Sequence, residues 1–124
     1  MSALWIDAPT GLAGDMLLAA LLDLGVDQAV VESPLAALGL TGRYRLTQQE
    51  VRSAGLRGIR VDVVGLEDQP PHRQWSGIRD QINAAALAPS LTQRVLAVFT
   101  RLAEAESTVH GTPVEAVHVH EVGA

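Results

Sequence analysis

Val117-His118-Val119-His120-Glu121 is the sharpest constellation of potential ligands in the chain. If the segment is extended, His118 and His120 point to one side, about 6.6 Å apart along the strand. Two neutral imidazoles at that spacing can lean onto one divalent transition-metal ion. The valines between them would face the core. The same spacing also fits two histidines on the solvated face of a half-buried strand. Glu121 falls on the opposite face of an ideal strand and joins the histidines only if the chain turns, which Gly123 permits.

A second set lies near the start, in Asp7-Ala8-Pro9-Thr10-Gly11-Leu12-Ala13-Gly14-Asp15-Met16. Gly11 and Gly14 allow tight turns, and the helix expected to follow offers free N–H groups and the positive end of its dipole. The carboxylates of Asp7 and Asp15 flank that place. They would repel a bare phosphate and welcome a metal ion or a metal-bridged phosphate. The plainer alternative is that Asp15 complements the dipole and Asp7 ends a strand. The block lacks the Lys and the Ser or Thr of a Walker-type phosphate loop. His72-Arg73, in a Pro-rich loop, could clasp a phosphate through the arginine fork. His110, placed before Gly111, suits the C-terminal end of a helix dipole. No Ser-His-Asp arrangement is indicated.

Composition narrows the classes. At 124 residues the chain amounts to one domain, and with 48% apolar but only 3% aromatic residues its core must be aliphatic. A formal charge of −5 argues against a nucleic-acid surface. All cations are arginine, and there is no cysteine, which excludes disulfides, thiolate ligands and a cysteine nucleophile. No basic region precedes the first apolar run, so a secretory signal is not expected, and the run over 16–22 is too short to span a bilayer. A cytoplasmic protein, with no membrane partner, is expected.

The elements that must position these groups follow from periodicity. Residues 3–6 read as a buried strand stopped by Pro9. A helix over 11–24 ends with Gly25 at C′ and is apolar nearly all round, which implies burial. Asp27 reads as an N-cap, with Val26 and Val31 as a staple. Ser33-Pro34 reads as the start of a short separate helix stopped by Gly39. Residues 43–51 and 56–64 read as strands joined antiparallel through Ser53-Ala54-Gly55, with Ile59, Val61 and Val63 on one face. Residues 65–76 read as a loop, and Ser76 caps a helix to about 87 with Ile78, Ile82 and Ala85 inward. Pro89-Ser90 recaps the chain into a helix over 91–109, whose inward stripe is Leu91, Val95, Val98, Leu102, Ala105 and Val109. The expected fold is a single α/β domain with a small mixed sheet of three to four strands packed by helices.

Asp7, Gly11-Leu12-Ala13-Gly14-Asp15-Met16, Ala20-Leu21-Leu22-Asp23-Leu24-Gly25, His72-Arg73, Leu102-Ala103-Glu104-Ala105-Glu106 with Val109-His110-Gly111, and Val117-His118-Val119-His120-Glu121-Val122-Gly123-Ala124 stand in this order. Together they resemble the N-terminal part of the LarC family, the nickel-insertion proteins of lactate racemase cofactor biosynthesis. The likeness runs nearly end to end. It implies a module of a CTP-dependent nickel chelatase, a lyase-class activity that places Ni²⁺ into a pyridinium mononucleotide to give the nickel pincer nucleotide. It also implies Asp7, Asp15, His110, His118, His120 and Glu121 on the metal side, and Gly11, Gly14, His72 and Arg73 on the side of the cofactor precursor. No catalytic residue is assigned. CTP and Mn or Mg would enter only through a C-terminal domain, carried by the same or a split chain, and a homo-oligomer is expected. Ala8-Pro9 departs from the family, which has Cys or another small residue followed by an aromatic or small one, so a sulfur ligand is absent there. The family continues past Ala124, and the chain reads as 1–124 of a longer protein, apparently truncated. Two other readings fit the residues: a non-catalytic metal-binding or assembly module acting with a separately encoded domain, and a hydrolase with a carboxylate–histidine metal site.

Overall fold

The computed structural model describes residues 3–68 and 73–119. Helix α1 spans Gly14–Asp23, α2 Gln28–Ala37, strand β1 Tyr44–Ser53, β2 Leu56–Gly65, α3 Trp75–Ala84 and α4 Pro89–His110, with a 3-10 turn at Val114–Ala116. The expected α/β character is present. The sheet is smaller than expected: among the described residues it is a two-stranded antiparallel hairpin, β1-β2, rather than a mixed sheet of three to four strands.

The missing first strand is the clearest departure. Residues 3–6 form no strand, and Leu4, Trp5 and Ile6 are 58%, 89% and 53% exposed. A strand needs a partner for its backbone hydrogen bonds, and no described segment pairs with this one. α1 also begins later than expected, and only Ala19 and Leu22 are buried on it, because β2 covers one face of the helix. Its end matches expectation: Gly25 N–H donates to the Leu22 carbonyl and Val26 N–H to that of Leu21, at 3.0 and 3.1 Å, a Schellman pair.

Asp27 caps α2 as read, its Oδ1 accepting from Ala29 N–H at 2.9 Å. Ser33-Pro34 does not open a second helix. Pro34 lies inside α2, and the ladder resumes beyond it, with Leu38 N–H donating to the Pro34 carbonyl. The ring removes the bond to Val30, which is 63% exposed, so water can serve the carbonyl left over.

The antiparallel hairpin is the expected one, with a turn one residue shorter than Ser53-Ala54-Gly55. Ser53 pairs with Leu56, leaving Ala54-Gly55 as a two-residue loop with φ of +48° and +82°, the signs of a type I′ turn. One face of the hairpin carries the first apolar cluster, Ala19, Leu22 and Val61, with Leu18, Val31, Leu46 and Ile59 against it. Val63, expected inward with Ile59 and Val61, is 57% exposed. Arg57 Nη1 reaches Asp23 at 2.7 Å and its Nε reaches Glu50 at 3.0 Å, which ties the end of α1 to both strands.

The second cluster holds Trp75, Ile78, Ile82, Ala103 and Val119, backed by Val95, Leu96, Phe99 and Leu102. α3 starts before the expected Ser76, with Gln74 at its N-cap, and α4 starts with Pro89 at its first turn. The inward stripe of α4 is rotated from the expected one: Val98 and Val109 are 67% and 78% exposed, while Phe99 and Ala103 face α3. Two facts set that rotation. The Phe99 ring stacks on Trp75 with centroids 6.3 Å apart, and Ala103, at 0% exposure, lets the helices approach closely.

The turn yields a stability prediction. An L-alanine in the left-handed region is disfavoured, and Asn-Gly is the preferred pair for this turn. Ala54→Asn is expected to raise unfolding free energy by about 1 kcal/mol in urea titrations. A loss of stability would show that the turn is not type I′.

Candidate functional site

The chain near 118 is fixed by a short antiparallel pairing. Trp75 N–H donates to the Val117 carbonyl at 2.9 Å, Val119 N–H donates to the Arg73 carbonyl at 3.3 Å, and Gln74 bridges His118. Val117 and Val119 are 3% and 2% exposed, so strand parity turns His118 outward, as its apolar-polar alternation suggests. His120, Glu121 and His72 lie outside the described residues.

His118 lines a cleft of about 440 Å³ with Arg43, Arg73, Gln74, Ser76 and Gly77. Arg43 precedes β1 and Arg73 precedes α3, yet both reach one carboxylate. Arg43 Nη1 lies 3.3 Å from Glu67 Oε1, and Arg73 Nη2 lies 3.2 Å from Glu67 Oε2. Two guanidinium charges share one counter-charge, a net positive balance among the described residues. Arg73 is the more confined, its side chain 20% exposed against 49% for Arg43. The buried Arg73 Nε–H meets no acceptor among the described residues. A buried donor without a partner costs about 1–3 kcal/mol. Sequence spacing pointed to Arg73 but missed Arg43 and Glu67. Thirty positions separate the two arginines in the chain, and no local pattern announces that they meet.

The first-turn block looks different from its sequence. Ala8, Pro9, Thr10 and Gly11 form a β-turn closed by Gly11 N–H to the Ala8 carbonyl at 3.1 Å. Gly11, at φ +96°, is where the backbone requires glycine. Gly14 is the first residue of α1, has no positive φ, and a Cβ there would meet nothing within 4 Å. Asp15 lies in the first turn, where its Oδ1 accepts from Met16 N–H at 2.9 Å. That carboxylate already serves an amide an anion would have used. Asp7 is exposed.

His110 ends α4, and Gly111 follows at φ +63°. His110 Nε2 stands 3.0 Å from the buried Glu106 Oε2, at ion-pair distance. Among the described residues no three His, Asp or Glu side chains gather into a metal-holding group. Asp7, Asp15, His110 and His118 therefore do not by themselves form a complete site. No helix among the described residues is long and apolar enough to cross a membrane.

Val119 and His118 make opposite predictions. Val119→Ala is expected to lower stability by about 2 kcal/mol through lost burial and a residual cavity. His118→Ala, on the solvent side, is expected to stay within about 0.5 kcal/mol of wild type. Thermal or denaturant unfolding of both variants checks the assigned parity, and equal losses would contradict it. In the same measurement Gly11→Val is expected to cost about 1–3 kcal/mol, while Gly14→Ala is tolerated.

A family model described as nickel insertion protein matches residues 4–124. A putative nickel insertion protein of Thermomicrobium roseum is 48% identical over 125 residues, which is all of this chain and 30% of that protein. A pyridinium-3,5-bisthiocarboxylic acid mononucleotide nickel insertion protein of Desulfitobacterium hafniense is 43% identical over 124 residues, covering the whole chain and 30% of the relative. One of the same description from Akkermansia muciniphila is 42% identical over 131 residues, again over the whole chain and 32% of that protein. The chain thus spans less than a third of the length of these curated relatives. No solved structure matches significantly.

Proposed function

Because the chain belongs to the nickel insertion protein family, we propose that it is the nickel-handling part of a protein that places Ni²⁺ into a pyridinium mononucleotide, giving the nickel pincer nucleotide cofactor of lactate racemase. Nickel is cargo in this reading, held and handed on. The observation that supports it best is the parity at 117–119. The two valines are locked in the core, and His118 between them is presented outward, where a metal ion can reach it. By spacing alone His120 belongs to the same set, and Glu121 follows.

Neutral imidazoles and carboxylates suit a borderline divalent ion that must be released again. His118, His120 and Glu121 supply one part of the ligand set, with Asp7, Asp15 and His110 as the other donors. The precursor side falls to Gly11, Gly14, His72 and Arg73. The chelatase chemistry, with CTP and Mn or Mg, belongs to the region that the longer relatives carry beyond this part. The complete protein acts in the cytoplasm as a homo-oligomer.

Calorimetric Ni²⁺ titration tests the metal half. Metal binding competes with imidazole protonation, so affinity is expected to fall between about pH 7.5 and about pH 5.5. Either His118→Ala or His120→Ala is expected to remove most of the affinity, and the double variant to add little, because one ion uses both. Asp15→Asn is expected to weaken binding if the turn before α1 shares the ion. Unchanged binding in the double histidine variant would end this reading.

A further inference from the structure

We propose that the cleft between Arg43 and Arg73 is a phosphomonoester site that receives the phosphate of the pyridinium mononucleotide. The inference rests on the nickel-insertion reading for the identity of the ligand, but its site is argued from charge and shape alone.

Three observations converge. The first is the charge count. Glu67 is shared by two guanidiniums, at 3.3 and 3.2 Å, so among the described residues the cleft carries one positive charge more than its ion pairs balance. In a chain of formal charge −5 that local excess stands against the overall field. The second is preorganisation. The Arg73 side chain is only 20% exposed, and its buried Nε–H meets no acceptor among the described residues, so the guanidinium is confined with a donor to offer. Arginine's planar fork matches the oxygens of a phosphate, and Arg43 can approach the same anion from the other wall. The third is the wall between them. Ser76 and Gly77, in the first turn of α3, line the same cleft, and that turn carries no acidic residue and no side-chain cap. The Trp75 N–H is taken by the Val117 carbonyl; the first-turn amides after it lack intrahelical acceptors and favour an anion. α1 offers the contrast, since Asp15 occupies its first turn and takes an amide itself.

The cleft's volume of about 440 Å³ leaves room for a phosphate and part of the attached ribose. Ni²⁺ would be repelled by two guanidiniums, so the phosphate and the ion take different parts of the surface. His118, on the cleft wall, stands where the two would meet.

The test uses the full 124-residue chain and three probes in calorimetry: nicotinic acid mononucleotide, its riboside without the phosphate, and inorganic phosphate. The mononucleotide is expected to bind at least tenfold more tightly than the riboside, and phosphate to compete with it. Arg73→Gln is expected to weaken the mononucleotide at least tenfold and Arg43→Gln several-fold, with Arg73→Lys between Arg73→Gln and wild type. Arg94→Gln, on the exposed side of α4, is expected to bind as wild type does. Circular dichroism melts confirm that each variant folds, and Arg73→Lys keeps the test open if Arg73→Gln does not. Ni²⁺ titrations run on the same samples. Equal affinity for riboside and mononucleotide, or binding within twofold of wild type in the Arg43→Gln, Arg73→Gln double variant, would overturn the proposal. So would a chain that takes up Ni²⁺ but binds no mononucleotide, and that result would leave the nickel reading intact. Mononucleotide binding that depends on both arginines, in a chain that binds no Ni²⁺, would support the phosphate site and count against the nickel reading alone.

Discussion

The pairing of Arg73-Gln74-Trp75 with Val117-His118-Val119 is the constraint on which the site depends. Two backbone hydrogen bonds, at 2.9 and 3.3 Å, join segments more than forty positions apart in the chain. They do three things at once. Trp75 is delivered into the core at 3% exposure, where Phe99 stacks on it and sets the rotation of α4. Val117 and Val119 are buried, which forces His118 outward. The N-terminus of α3 is pinned beside His118, so that helix amides and an imidazole share one cleft. A shift of the pairing by one residue would bury His118 and expose the valines, undoing core and site together.

The electrostatics of the cleft follow from a mismatch in number. A carboxylate between two arginines holds them close against their mutual repulsion, and among the described residues it is the one acidic group that both reach. Surface ion pairs of this kind contribute little to stability. The function of Glu67 is better seen as spacing: it sets how far apart the two forks stand. The carboxylates near the start of the chain show a different pattern. Asp7 and Asp15 lie near the turn that precedes α1, and the Asp15 carboxylate takes the Met16 amide there.

The hairpin and the helix stops were legible in the sequence because they are local. A two-residue turn between alternating strands, a cap at Asp27 and glycines after α1 and α2 need only their neighbours to be recognised. The failures were non-local or degenerate. Residues 3–6 had the composition of a strand but no described partner. On α4 two overlapping stripes were available, and the choice fell to Phe99 and Ala103 because of what α3 presents, which the pattern of α4 alone does not contain. Pro34 looked like a helix start and sits mid-helix, since the Asp27 cap and continued bonding past the ring outweigh its local preference. Within the candidate site, His118 and Arg73 were readable from residue type and spacing. Arg43 and Glu67 were not, because their role exists only once β1 and α3 are brought together.

The division of the apolar interior into two clusters shapes how the molecule opens. Extensive packing stays within each half, α1 on β2 and α3 on α4. α2 spans the seam, with Val31 against one cluster and Leu38 against the other, and Gln81 Nε2 donates to the Leu38 carbonyl at 2.7 Å. Two small cores joined this way are expected to open as separate cooperative units, with different amide exchange rates. Arg43 belongs to the hairpin unit and Arg73 to the helical one, with Glu67 as their link. Parting of the seam draws the two guanidiniums away from each other. An anion that engages both therefore acts as a clasp, and its binding free energy is added to the cohesion between units rather than to either unit alone.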